Sequence, residues 1–283
     1  MRFFFLILFI LIPSIVFSQN RCKITYISNA GFIVELDDKK VLIDGLFNNI
    51  DGDWCDSPSD SIVQLMKKAE PPFDNVDIIA ISHKHSDHFN EDIVVDHMLS
   101  NPRTVIICPD QVDQVLSETT EYGKINNRII SITPKPLTDT IITISNTPIR
   151  VLRLEHSHYE MKDTVSGKMI NKHKDIENLG YVFNINGIKI FHCGDTNPLN
   201  EEEYSAYSLE DEEIDIAFVE RLFFGVYQEK AMEMINKFIN PDYIILMHIN
   251  PSNKSFFIEY LKQEKNIKVF VNKMESIIIN IED

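Results

Sequence analysis

Three histidines and an aspartate fall within six consecutive positions of this chain, His83-Lys84-His85-Ser86-Asp87-His88. The 283 residues hold only nine histidines, so the clustering is a local feature and not a reflection of composition. Imidazole and carboxylate together are the donors that a borderline divalent ion such as zinc takes. His83 and His85, two apart in a tight turn, can share one ion. Asp87 and His88 are adjacent, so their side chains diverge from the first pair toward a second ion. The bland alternative is a polar turn with solvated histidines. Four clustered donors directly after a buried strand favour the metal reading.

The elements that must position these residues are legible on either side. Val76 to Ile81 is a short apolar run rich in β-branched residues, and reads as a buried strand. Beyond the turn, Asn90 can cap a helix over Glu91–Ser100 whose first turn carries Glu91 and Asp92, as the helix dipole prefers. The cluster therefore sits on a strand-to-helix turn, where a rigid scaffold presents side chains at a sheet edge.

His83-x-His85-x-Asp87-His88 resembles the HxHxDH signature of the metallo-β-lactamase superfamily. That resemblance directs attention to three residues downstream. His156 follows the apolar strand Ile149 to Leu154, Asp195 lies in His192-Cys193-Gly194-Asp195-Thr196 after the strand Ile188 to Phe191, and His248 closes the strand Tyr243 to Met247. Their order matches the family's, and the resemblance spans nearly all of the chain beyond its first residues. It implies an α/β fold, a four-layer αββα sandwich of two mixed β-sheets flanked by helices with the metals at one edge. It implies two divalent ions, zinc in the first instance. His83, His85 and His156 would bind one, Asp87, His88 and His248 the other, with Asp195 between them. Asp44, at the end of Leu42-Ile43-Asp44-Gly45, stands where the family braces the metal-binding turn. Asp87 is the candidate catalytic residue.

The implied activity is hydrolysis of an ester-type bond, such as a phosphodiester or lactone, in a small-molecule substrate by a metal-activated water. Lys84, where the diiron redox branch has Glu, favours hydrolysis. The spacing from His156 to Asp195, with Asn178-Leu179-Gly180-Tyr181 ahead of the last hairpin, is most similar to the branch of ascorbate-phosphate lactonases and N-acyl phosphatidylethanolamine phospholipase D. The competing readings are a β-lactamase proper and a metal-binding interaction module that does not turn over.

Histidine 158 competes with His156 for the ligand position. The apolar strand stops at Leu154, so the chain should be leaving the sheet by His158, and His156 fits better. The polar insertion Tyr159 to Glu177 leaves from the metal edge. It can act as a lid, and its cations Lys162, Lys168, Lys172, His173 and Lys174 could meet a substrate anion, but Glu160, Asp163 and Asp175 largely offset them and a solvated loop is an equal reading. Trp54 in the polar loop Phe47–Asp60, Glu220-Arg221 after the strand Asp215–Val219, and Phe223-Phe224 are further candidates for the pocket wall. His97 reads as an ordinary packing or surface histidine.

The remaining pattern predicts strands over Cys22–Ser28, Gly31–Leu36, Lys40–Ile43, Thr104–Cys108, Ile129–Ile132, Thr140–Ile144, Val269–Val271 and Ser276–Ile281. It predicts helices over Ser61–Glu70, Asp110–Glu121 with Asp110 as cap, Gln228–Ile239 and Asn253–Glu264. Asn186-Gly187 is a hairpin turn. Met1 to Ser18 reads as a signal peptide, with Arg2, an apolar core over Phe3–Val16 broken by Pro13, and Val16-Phe17-Ser18 before the cleavage point. Residues 19–283 then form a single metallo-hydrolase domain, exported to the periplasm or the extracellular space, with no stable membrane insertion after cleavage. Cys22, Cys55, Cys108 and Cys193 read as free thiols, since a core this large needs no staples. A net charge of −16 excludes a nucleic-acid partner, because phosphate neutralisation needs Lys/Arg patches.

Overall fold

The computed structural model describes residues 20–224 and 228–281. The expected signal peptide, Met1–Ser18, lies outside them. The first half of the chain forms β1 (Asn20–Ser28), β2 (Gly31–Leu36), β3 (Lys39–Ile43), α1 (Asp60–Lys68), β4 (Ile78–Ala80), α2 (Glu91–Ser100), β5 (Val105–Cys108), α3 (Asp110–Ser117), α4 (Tyr122–Ile125) and β6 (Ile129–Ser131). The second half forms β7 (Asp139–Ile144), β8 (Thr147–Leu154), β9 (Glu160–Lys162), β10 (Met169–Asn171), β11 (Asn178–Ile185), β12 (Ile188–His192), α5 (Glu201–Tyr207), β13 (Ile216–Glu220), α6 (Gln228–Phe238), β14 (Tyr243–Met247), α7 (Lys254–Tyr260), β15 (Ile267–Val269) and β16 (Ser276–Ile281).

The strands make two seven-stranded mixed sheets, ordered β16-β1-β2-β3-β4-β5-β6 and β15-β14-β13-β12-β11-β8-β7. Each is built alike. In the first, β16, β1, β2 and β3 pair antiparallel, and β3, β4, β5 and β6 pair parallel. In the second, β7, β8, β11 and β12 pair antiparallel, and β12 to β15 pair parallel. The parallel strands of each sheet therefore end at one edge, which is where open α/β sheets gather ligands. The fold is the expected sandwich of two mixed sheets flanked by helices.

Strand alternation divides the core. Ile78 and Ala80 of β4 face the layer between the sheets, whereas Ile79 and Ile81 face the helices α1 and α2. With both faces covered, β4 is apolar throughout, as a strand in the parallel part of a sheet must be. Two contacts tie its end to the opposite sheet. Tyr181 Oη of β11 donates to the Ile81 carbonyl at 2.7 Å, and the Leu179 amide donates to the Ser82 carbonyl at 2.9 Å. The turn that follows is thus held from both sheets.

Several boundaries differ from the sequence expectation. Pro109, not Asp110, stands at the cap position of α3, and Asp110 falls in its first turn. The last strand before β16 is Ile267–Val269 and not Val269–Val271, because parallel pairing with β14 aligns Ile267 with Ile244. Phe270 is buried just past it, stacked on Tyr26. The helix expected over Asn253–Glu264 runs only over Lys254–Tyr260. The insertion Tyr159–Glu177 is not structureless: β9 and β10 pair within it as a small hairpin. All four cysteines are buried free thiols. No helix among the described residues is long and apolar enough to cross a membrane.

Candidate metal centre

The turn after β4 is shaped by a buried carboxylate. Asp44, at the end of β3 in a left-handed backbone conformation (φ 45°), accepts the Ser82 amide at 2.7 Å and the Ser82 hydroxyl at 2.5 Å. The same Asp44 Oδ2 lies 2.9 Å from His88 Nδ1. Because the Ser82 hydroxyl donates to Asp44, it accepts from His83 Nδ1 at 2.9 Å. One carboxylate thus fixes His88 directly and His83 through Ser82, and each ring turns its Nε2 toward the sheet edge. Such outer partners set the tautomer and orientation of metal-binding histidines.

His83, His85 and His156 converge. His156 Nε2 lies 3.3 Å from His83 Nε2 and 3.2 Å from His85 Nδ1. His156 Nδ1 donates to the Ser157 carbonyl at 2.9 Å, which leaves Nε2 as a lone pair. Three imidazole nitrogens this close repel one another unless something sits between them. Tetrahedral nitrogen ligands at ~2.0–2.1 Å from zinc are separated by ~3.3–3.4 Å, so the spacing fits. Burial, reinforced by neighbouring imidazoles, holds His83 well below the usual histidine range and His85 down to about 4. Burial takes His156 to about 4 as well, despite the attraction of Asp195. All three are neutral near pH 7, the form that binds metal.

Asp87, His88, Asp195 and His248 form the second group. His248 Nε2 lies 3.0 Å from Asp87 Oδ2 and 3.1 Å from Asp195 Oδ2, and His88 Nε2 lies 3.2 Å from Asp195 Oδ1. Here the carboxylates govern. Burial opposes charge on His248, yet Asp195 and Asp87 raise it to about 10. Burial likewise opposes charge on Asp87, yet His88 and His248 hold it down at about 2. A cation entering this group displaces protons from the imidazoles. Although 3.2 Å apart, His88 Nε2 and Asp195 Oδ1 are buried without forming a hydrogen bond to each other or to any other group among the described residues, the arrangement expected of ligand atoms that would share a cation.

Asp195 links the groups. Its Oδ2 lies 4.0 Å from His83 Nε2 and 3.8 Å from His156 Nε2, as well as against His248. The approach requires glycine before it. Gly194 has φ +57°, and a Cβ there would stand 2.3 Å from Asn178 Oδ1, the atom that accepts the Asp195 amide. His156 reaches the edge because the sheet persists beyond β8: it bridges Thr196, and the Ser157 amide donates to the Asp195 carbonyl at 2.7 Å. His158 has left the sheet and pairs with Glu155 at 2.8 Å, half exposed.

All seven sequence candidates, His83, His85, Asp87, His88, His156, Asp195 and His248, are therefore brought to one edge. The sequence reading missed Asn29 and took His173 only as one cation of the insertion. Asn29, also left-handed (φ 49°), donates to Asp87 Oδ2 at 3.1 Å, and its carbonyl accepts the His248 amide at 3.1 Å. Its one signal was an Asn in a two-residue strand connection, too common to single it out. His173 of the insertion packs edge-on against His156, with ring centroids 4.3 Å apart, and its Nδ1 donates to the Ser157 carbonyl at 3.0 Å. His97 is fully buried on the Met66 carbonyl, and His192 spans the sheets to the Ala30 carbonyl. Neither belongs to the centre.

A cavity of about 450 Å³ opens over the two groups, lined among others by Trp54, Tyr159, His173, Glu220, Arg221 and Leu222. Phe223 and Phe224 are buried in the core, and it is Leu222 that reaches the wall.

The family description "beta-lactamase superfamily domain" matches residues 39–253. No curated protein sequence matches the chain. Among solved structures, Igni18, a metallo hydrolase from the hyperthermophilic archaeon Ignicoccus hospitalis, is similar over 93% of this chain and 100% of its own, with 17% identity and a TM-score of 0.59. An isothiocyanate hydrolase from Delia radicum gut bacteria is similar over 92% of this chain and 100% of its own, also with 17% identity and a TM-score of 0.59. CmlA, a diiron β-hydroxylase from Streptomyces venezuelae, shares the fold over 93% of this chain and 54% of its own, at 9% identity and a TM-score of 0.54. By its matched region the chain belongs to the beta-lactamase superfamily, and it shares its fold with the metallo hydrolase described above.

Proposed function

We propose that this protein is an exported hydrolase that uses two zinc ions to cleave an ester-type bond, a phosphodiester or lactone, in a small-molecule substrate. The observation that carries the reading is the convergence of three neutral imidazoles on one side of Asp195 and an aspartate with two imidazoles on the other. A site that only stabilised the fold would need neither the second group nor a carboxylate between them at an open edge. Ions held there would supply a Lewis acid and a water activated near pH 7.

The chain's own residues do the rest. Asp44, Ser82 and the Ser157 carbonyl hold the rings in one tautomer. Asn29 steadies Asp87 on the pocket wall, where its carboxylate can accept a proton from the attacking water. Trp54, Tyr159 and Leu222 supply apolar wall, and His173 covers the histidine group from the insertion. No nucleophilic Ser or Cys is needed, and Cys193, beside the centre in sequence, is buried with its thiol well above the usual range through desolvation.

The spacing of its motifs favours the branch with ascorbate-phosphate lactonases and N-acyl phosphatidylethanolamine phospholipase D over a β-lactamase proper. The diiron neighbour shows that the fold also serves redox iron, and Lys84 beside His85 speaks for hydrolysis. Metal analysis of the purified protein, together with turnover of bis-p-nitrophenyl phosphate and a lactone panel, tests the reading. About two zinc ions per chain and turnover abolished by chelation are expected. A metal-free, inactive protein, or an iron-loaded one that hydrolyses neither class, overturns it.

A further inference from the structure

Among the described residues, Arg221 is the one Arg or Lys side chain lining the cavity over the metal centre. The lysines of the insertion, Lys162, Lys168, Lys172 and Lys174, do not reach that wall. Arg221 directly follows β13, and the last pair of the β13–β14 register is Glu220 with Met247. Arg221 and His248 therefore leave neighbouring parallel strands at the same level, and both line the cavity.

The arginine is left unsatisfied. Its Nε is buried and has no hydrogen-bond acceptor among the described residues. The adjacent acid makes no ion pair with it: Glu220 is buried too and its Oε2 has no hydrogen-bond partner, although the arginine's charge does favour the ionised form of Glu220. Two other half-buried cations of this acidic chain are matched by acids, whereas Arg153, which lines a different cavity, also leaves its Nη1 buried without a partner among the described residues. Arg150 pairs with Asp139 and Glu212, and Lys254 pairs with Asp56. A buried N–H without an acceptor is costly, and a guanidinium held at a pocket wall presents a planar fork suited to carboxylate or phosphate oxygens.

We infer that Arg221 is a specificity-determining residue that binds a carboxylate or phosphate group of the substrate, so that the substrates are anionic esters or lactones. This rests on the hydrolase reading above and narrows it. A neutral substrate would leave the guanidinium at the cavity wall without a counter-charge.

The test uses the metal-loaded protein and two readouts. Trp54 is the only tryptophan and lines the same cavity, so its fluorescence reports binding of inorganic phosphate and, separately, of succinate. The second readout is the ratio of kcat/KM for mono-p-nitrophenyl succinate to that for p-nitrophenyl acetate. Arg221→Ala and Arg221→Gln are expected to weaken binding of at least one anion roughly tenfold or more and to lower the ratio by a similar factor, with Arg221→Lys in between. Which anion responds identifies the group recognised. Unchanged metal content separates the effect from loss of the centre. If wild-type protein binds neither anion, or if the variants bind both as wild type does, the inference is overturned. If binding depends on Arg221 but no ester is hydrolysed, the anion site stands and the hydrolase reading fails.

Discussion

Asp44 and His88 are 44 residues apart in sequence, yet the Asp44 Oδ2 accepts from His88 Nδ1 at 2.9 Å with both side chains fully buried. Through Ser82 the same carboxylate also orients His83, so one residue just after β3 governs a ring in each candidate metal group. Asp44→Asn keeps the shape but removes the charge and puts an amide donor where an acceptor is needed. Metal affinity should fall by about 10- to 100-fold, the usual cost of losing such a partner. Competition against a chelator measures it, and an unchanged affinity would show that Asp44 is only a turn residue.

Asp87 lies at the edge turn and not in the core, held by Asn29 and His248. Asp87→Ala should therefore spare the fold while lowering turnover by about 10²- to 10⁴-fold, the range of a lost proton acceptor or more. Circular dichroism checks the first half of the statement and ester hydrolysis the second. Full activity in a folded variant refutes the role.

His156 and His158 make opposite predictions. His156→Ala removes one of three converging nitrogens and should lower the metal content per chain. His158→Ala breaks only the pair with Glu155 and should keep the metals while shifting KM. Metal analysis of the two variants with the reverse outcome would mean that the site is built on the other register.

Glu203 carries a pH signature away from the centre. It is buried on α5, accepts the Glu155 amide at 2.7 Å, and burial raises its carboxyl to about 7. The folded chain then holds a proton that the unfolded chain releases near 4.5. Stability from this group is therefore full below about pH 4.5, declines as pH rises toward 7, and is flat above it. The total is a few kcal/mol at ~1.4 kcal/mol per pH unit. Glu203→Gln should remove that slope. Urea unfolding of both proteins between pH 4.5 and 8 gives the difference curve, and a flat difference would show that Glu203 titrates normally.

What could be read from the chain alone was local. The run Val76–Ile81 is apolar at every position because both faces of β4 are covered, and the donors follow within one turn, so strand and cluster are adjacent in sequence as in space. His156 over His158 was decidable for the same reason, since the apolar strand ends at Leu154. Spacing alone separated His83 and His85 from Asp87 and His88; assigning His156, Asp195 and His248 to the two groups took the family resemblance.

Tertiary structure decided the rest. Asn29, Ser82 and Asn178 act through hydrogen bonds across strands, and nothing in their types distinguishes them from ordinary turn residues; Asp44 was picked out only through the family resemblance. His173 sat in a polar stretch that looked like solvated loop; a short hairpin turns it back onto His156, a contact no local pattern encodes. Leu222 reaches the pocket while Phe223 and Phe224 are buried, because chain direction after β13 and not hydrophobicity sets which side chain points outward. Arg221 stands out only once its neighbours are known: the sequence places a cation after an acid, and packing in three dimensions leaves both without a partner.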